Sequence, residues 1–454
     1  MSPLPSVNLG SLLSAIGDSS GGIDVSSAVS QILQNEALPQ QQLIQQQATL
    51  QGQTSVIHSL ESLISNLETS LQGLGDPAGA AASMATSSSN DAIVSATAAP
   101  GTLSGNHVVV VNNVAATGSW YTDAVASSTT ALQAGSFDIQ VGTNAPVTIT
   151  VGSGVNTLSD LATAINQQNL GVSANVITDS TGSRLAIVSN NSGAASDFSI
   201  TNDTSIAFNQ AVQGKDASLT VDGIPITSAS NSVTSAVNGL TLNLVSAAPG
   251  TEVNVSVSPD SDQIAQAVSS FVSAYNAVIQ TVNSQFAFDQ TSNTAGILAG
   301  DSTVRMLQEA LLNAGSYSTA GAISTLGQLG VSMNNDGTLT LDSSKLNGAI
   351  QNNFSAVQSF LQGTASNGFA ATLNNQLGSF TDPVNGAFTV ELQSIANENS
   401  DLQDQIDDFQ DFLNSEQVRL TNEYNQIDAT LQRLPILQKQ IAAQLGENNN
   451  SGNG

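Results

Sequence analysis

The sequence predicts an α+β multidomain protein. Helices from the two chain ends pair as a coiled coil or helical bundle, a leg, and β-rich domains are inserted between them as a head. Three observations predict this. Apolar residues near both ends recur every seven positions, the middle of the chain alternates with a period of two, and no cysteine is present to staple a small fold.

The first element lies in GGIDVSSAVSQILQNEALPQQQL, residues 21–43. A helical pattern starts after the double glycine, meets Pro39 and restarts on glutamines. A helix over 24–38 would carry Ile23, Val25, Val29, Ile32 and Leu33 on one face, with Asp24 at its start. That face is expected to be left for a partner, so residues 1–40 are read as a flexible, partner-binding segment. The leg helix follows, within residues 41–84. Leu43, Leu50, Ile57, Ile64 and Leu71 are seven apart, and Leu60, Leu67 and Leu74 follow three residues after the last members of that series. Gln46 and Gln53 take the first two inner positions, which predicts a polar, labile leg tip. Gly73, Gly75 and Pro77 end the run, whose 32 residues span about 48 Å.

Between 85 and 258 the period becomes two. Val147-Thr148-Ile149-Thr150-Val151, Leu240-Thr241-Leu242-Asn243-Leu244 and Val253-Asn254-Val255-Ser256-Val257 alternate, as do Leu185/Ile187 and Leu219/Val221. Asp222-Gly223 predicts a type I′ hairpin. Thr157 and Asp160 predict a capped helix in LSDLATAIN. Segments 85–130 and 215–258 are assigned to one β-rich head domain, and 131–214 to a second inserted into it.

Residues 259–386 are assigned to a helical leg domain. Ile264, Val268, Phe271, Tyr275, Val278 and Val282 alternate spacings of four and three. A hairpin over 330–342 turns at Asp336-Gly337, and Ser343 is expected to cap a helix carrying Leu346, Ile350, Val357 and Phe360. The C-terminal coiled coil, 387–445, has Leu402, Ile406, Phe409, Leu413, Leu420, Ile427 and Leu431 in its seam. Pro435 predicts a kink or break, and residues 446–454 read as a disordered tail. A bundle of the three striped helices buries all three stripes together.

Composition excludes some function classes. The net charge is −28, and the first 183 residues contain no Lys or Arg. Nucleic acid and anionic membranes both need clustered cations, so neither nucleic-acid binding nor membrane insertion is expected. The longest aliphatic run, Val108–Val111, is far short of the roughly 20 residues of a membrane span. No basic region followed by an apolar stretch opens the sequence, which predicts a cytosolic chain or export without a cleavable leader.

Candidate chemistry is sparse. His58 follows a seam isoleucine and His107 precedes a valine strand; neither has the companions a zinc site needs. In SMNNDGTLTLDS, Ser332, Asn334, Asp336 and Gly337 fit a calcium loop, but Ser343 stands where a bidentate carboxylate is required. Asp404, Asp407, Asp408 and Asp411 read as a solvated helix face rather than a catalytic pair. No cofactor, metal site or catalytic constellation is indicated, and an enzyme is the weakest reading.

These pieces, in order, resemble the flagellar hook-associated protein 2 family. The resemblance lies in GGIDVSSAVSQIL with Glu36 and Pro39, in the stretch from GSFDIQVG to SRLAIVS, which is similar to the flagellin hook IN motif, and in GILAGDSTVRMLQEALL, LGQLGVSMNNDGTLTLDSSKL and the terminal coil. It covers nearly the whole chain. Departures are Gln40 after Pro39 and Pro435 within the coil. The resemblance implies a filament cap: a small homo-oligomeric ring, pentamer-like, at the distal tip of the flagellum. Such a cap retains flagellin and promotes its polymerisation. Implied partners are flagellin, the hook–filament junction protein and a flagellar export chaperone; implied export is through the flagellar type III apparatus. A junction-type axial protein, or a secreted adhesin using the β head, stays open as an alternative.

Overall fold

The computed structural model describes residues 24–290, 293–363 and 367–450. Ile23, and residues 1–23 generally, lie outside the described residues, as do 451–454. Helix α1, Val25–Glu36, is capped by Asp24, whose carboxylate accepts from the amide of Ser27 at 3.1 Å. Ala37 remains in the right-handed helical region (φ −76°, ψ −8°), so the chain passes into α2, Leu38–Gly75, without reversing. Pro39 sits in the first turn of α2, where its missing N–H costs nothing.

After α2 the chain enters β1 (Met84–Ser88), β2 (Val94–Ala98) and β3 (Gly105–Asn113). It then builds β4 (Ser119–Thr122), β5 (Gly135–Val141), β6 (Val147–Val151), α3 (Leu158–Gln167), β7 (Val172–Asp179), β8 (Gly182–Ser189), β9 (Phe198–Thr201) and β10 (Phe208–Val212). It returns through β11 (Ala217–Val221), β12 (Ile224–Ser228), β13 (Ser232–Val237), β14 (Leu240–Leu244) and β15 (Val253–Pro259). All pairings are antiparallel. One β unit joins a five-stranded sheet, β1-β15-β3-β11-β12, to a three-stranded sheet, β13-β14-β2. The other joins β10-β4-β8-β7 to β6-β5-β9. Each unit has its own core, around Val109, Leu219, Leu242 and Val255 in the first and Phe137, Leu161, Leu185 and Ile187 in the second.

β4 corrects a sequence expectation. Residues 119–122 were assigned with 85–130 to the first unit, yet β4 pairs with β8 and β10 of the second. Trp120 anchors it there: its Nε1–H donates to the Phe198 carbonyl at 2.9 Å. Two local expectations agree with the structure. Asp222 and Gly223 take φ of 51° and 80°, as a type I′ turn requires. Thr157 and Asp160 form the reciprocal capping box of α3.

The helical unit adds α4 (Ser261–Phe286), α5 (Ser302–Gly315), a hairpin of β16 (Val331–Met333) and β17 (Leu339–Leu341), α6 (Ser343–Gln362), α7 (Phe369–Thr381) and α8 (Ala387–Asn450). Asp342, not Ser343, caps α6: its carboxylate accepts from the Lys345 amide at 3.0 Å. α2 is the hub, packing against α4, α7 and α8. The sequence reading did not resolve α7, whose Phe369, Leu373, Leu377 and Phe380 are buried in this core.

α8 holds two further corrections. It is helical through Pro435 to Asn450, so neither a break at 435 nor disorder over 446–450 is present. Proline deprives the Leu431 carbonyl of its partner, and every residue from 432 to 444 is exposed, so water reaches the freed group. Ile427 and Leu431 are 41% and 40% exposed and form no seam among the described residues, because α1 begins too late to cover them.

Candidate interaction surfaces of the leg and the head

α2 and α8 run antiparallel. The Gln47 side chain donates to Gln403 at 2.9 Å, while Gln40 donates to the Ile406 carbonyl at 3.3 Å and to the Gln410 side chain at 3.1 Å. Falling numbers on α2 therefore meet rising numbers on α8. Leu50, Ile57, Leu60, Ile64, Leu67 and Leu71 are buried, as are Leu402, Ile406, Leu413 and Leu420; Leu43 and Phe409 are half-buried. The polar residue in the seam is Gln40, 9% exposed, rather than Gln46, which faces water. Gln53 is half-buried and donates to the Ile297 carbonyl at 3.3 Å. An α-helix drifts against a seven-residue repeat, so the inner phase set by the bundle around Leu60 is not kept toward the N-terminal end of α2.

Following the same register, α1 continues along α8 beyond Gln40. α1 packs on α8, where Ala28 and Val29 are 2% and 3% exposed and Val25, Ile32 and Leu33 are half-buried. Val29, on the face expected to wait for a partner, is thus covered by α8, and Val25, Ile32 and Leu33 keep exposed surface. Past α1, Ile427, Leu431, Leu434, Leu437 and Ile441 are 40–53% exposed.

Beside this seam, α2 and α8 enclose a groove of about 790 Å³ lined by Leu50, His58, Glu61, Leu392, Ile395 and Asn399, among others. Its floor is apolar and its rim polar. His58 contacts Glu61 at 2.9 Å and stays largely exposed. At the base of α8, burial pushes the Glu391 carboxyl up to about 7, the Asp301 carboxyl beside it adds to the rise, and a Thr303 hydrogen bond opposes it. Glu391 Oε2 is buried without a partner.

Other candidates resolve structurally. His107 Nδ1 lies 2.8 Å from Asp222 Oδ2, and Asp222 Oδ1 accepts from the Val108 amide, a brace across the β11–β12 turn. Asp336 turns onto Thr338, accepting from its hydroxyl at 2.6 Å and its amide at 3.0 Å, inside the hairpin rather than toward a cation. Asp404, Asp407, Asp408 and Asp411 are exposed along α8. Among the described residues no group of three or more His, Cys, Asp or Glu is placed to hold a metal ion, and no helix is long and apolar enough to cross a membrane.

Comparison with known proteins agrees with this architecture. Residues 21–118 match the flagellar hook-associated protein 2 N-terminus, 214–435 its C-terminus, and 136–191 the flagellin hook IN motif. The B-type flagellar hook-associated protein 2 of Pseudomonas aeruginosa is 28% identical over 94% of this chain and 96% of its own length. The flagellar hook-associated protein 2 of Escherichia coli K12 is 25% identical over 97% of this chain and 99% of its own. The crystal structure of the D1-D2-D3 domains of the E. coli flagellar cap protein FliD superposes with a TM-score of 0.63 at 26% identity, covering 75% of this chain and 99% of that one. With its paired helical ends, its IN-motif unit and matches running from residue 21 to 435, the chain belongs to the flagellar hook-associated protein 2 family.

Proposed function

We propose that this protein caps the growing flagellar filament: copies assemble at the distal tip, hold back exported flagellin and promote its addition beneath them. One observation carries the reading. Helical leg and nested β head follow, over 75% of this chain, the architecture of a solved flagellar cap protein. A cap needs a part that stays assembled while subunits enter below it. The β head, with two cores of its own, suits that part. The leg suits the moving part, since apolar contacts beyond Leu402 lie outside the main helical core. The reading extends to contact with a hook–filament junction protein, delivery by an export chaperone and export through the flagellar type III apparatus.

The test is complementation in flagellated cells lacking their own hook-associated protein 2. Cells given this chain should build long filaments and keep flagellin out of the medium. Unpolymerised flagellin in the medium and bare hooks, with the chain expressed and exported, would overturn the reading.

A further inference from the structure

Beyond α1, α8 carries an apolar stripe that no described residue buries. Ile427, Leu431, Leu434, Leu437 and Ile441 succeed one another at spacings of four and three, so they share one face of the helix. They are 40–53% exposed. A continuous row of large aliphatic side chains marks a helix face that meets a partner.

The chain contains a segment that fits. Residues 1–16, which precede α1 and lie outside the described residues, contain no charged side chain. Leu9, Leu12, Leu13 and Ile16 stand at i, i+3, i+4 and i+7, the spacing of one helix face. Asn8 precedes this run and Gly17 follows it, a start and a stop signal.

Register brings the two stripes together. Where α2 lies on α8, Gln47 meets Gln403 and Gln40 meets Gln410, so each step down one helix is a step up the other. α1 joins α2 without reversing and packs on α8. Carried on past α1, the same register sets Ile16 against Leu434, Leu13 against Leu437 and Leu9 against Ile441. Keeping it requires residues 17–23 to advance about 12 Å, and seven residues can reach roughly 23 Å. Charge disfavours a second copy as the cover. Between 429 and 444 the charged side chains of α8 are Arg433 and Lys439. The same stripe of another copy would bring two more cations to this stretch, whereas residues 1–16 bring no cationic side chain.

We propose that residues 9–16 fold back along α8 as a short helix and cover its stripe from Leu434 to Ile441. The pairing lengthens the α1–α8 seam within one chain and shields these side chains from other copies and from other proteins.

The test uses the full-length chain, which has no cysteine of its own. Leu13→Cys combined with Leu437→Cys should close a disulfide within one chain on mild oxidation, read by gel mobility and by the mass of the joined tryptic fragments. Ser11→Cys combined with Leu437→Cys puts the first thiol on the opposite face of the same helix and should cross-link at least about ten-fold more slowly. In the cysteine-free chain, Leu12→Asp together with Leu13→Asp should speed hydrogen exchange of α8 over 431–444 at least about ten-fold and leave that of α4 unchanged. A disulfide joining two chains would assign the cover to a second copy and overturn the proposal. So would equal cross-linking by the two cysteine pairs, or exchange over 431–444 that the two aspartates leave unaltered.

Discussion

Three asparagines do work that no pattern in the sequence announces. Asn166, Asn231 and Asn276 each turn the side-chain amide onto one residue of a neighbouring segment, accepting from its N–H and donating to its C=O. Their partners are Ala174, Ala115 and Leu339. Each amide thus imitates a strand neighbour for backbone that would otherwise lack one. Asn276 does so from α4, fixing β17 and its hairpin to the helical core. Asn276→Ala leaves both Leu339 groups unpaired and should lower unfolding free energy by about 1–3 kcal/mol, read by urea denaturation. Glu391 gives a second residue-scale expectation. Its folded pKa, about 7, exceeds its unfolded value, so the unfolded chain releases this proton first as pH rises. Stability contributed by the neutral carboxyl is complete below about pH 4.5 and falls as pH climbs toward 7. Glu391→Gln, which stays neutral, should flatten the fall in melting temperature between those pH values; an unchanged slope would show that another group titrates.

Among the helices, what the sequence disclosed depended on how many neighbours a stripe meets. The stripe of α4 lies in the bundle, and all six residues read from its spacing are buried. The α8 stripe could be read as far as Leu431, but periodicity reports a helix face and not whether anything covers it; among the described residues cover ends with α1. α7 went unread because it is short, contains Gly378 and follows a run of Gly, Ser and Asn. α1 was legible as a helix, yet its packing on α8 was not, since that requires the register set by Gln40, a residue whose type suggests exposure. Val29 is buried by α8 but lies outside the main helical core. Val29→Asp should therefore detach α1 alone: hydrogen exchange over 25–36 should rise to that of unfolded chain while the main melt stays in place. Leu60→Ala, in the hub helix, should instead lower global stability by about 2–5 kcal/mol. Equal global losses from both variants would mean that leg and bundle unfold as one.

At the scale of the molecule, nesting explains how the two chain ends come to lie together. β1 and β15 pair from Met84↔Pro259, so the chain leaves the helical unit and re-enters it through adjacent strands. The second β unit leaves and returns through the Ala116↔Lys215 bridge in the same way. Each insertion has closed its own ends before the next layer is built, so α2 and the later helices meet as though the head were a loop. The assignment of 131–214 as an insertion left β4 outside it, because the runs on either side of Gly118 carry no sign of which sheet they join. The two β cores draw one outside contributor from the helical unit, Phe354, which is only partly buried against the first. A fragment of residues 84–259 thus retains both cores and a paired pair of ends. It should fold alone, with a β circular-dichroism spectrum and one or two cooperative melting transitions. A fragment without cooperative melting would mean that the β head depends on the helices for more than Phe354, and that the nested closure at Met84↔Pro259 does not isolate it.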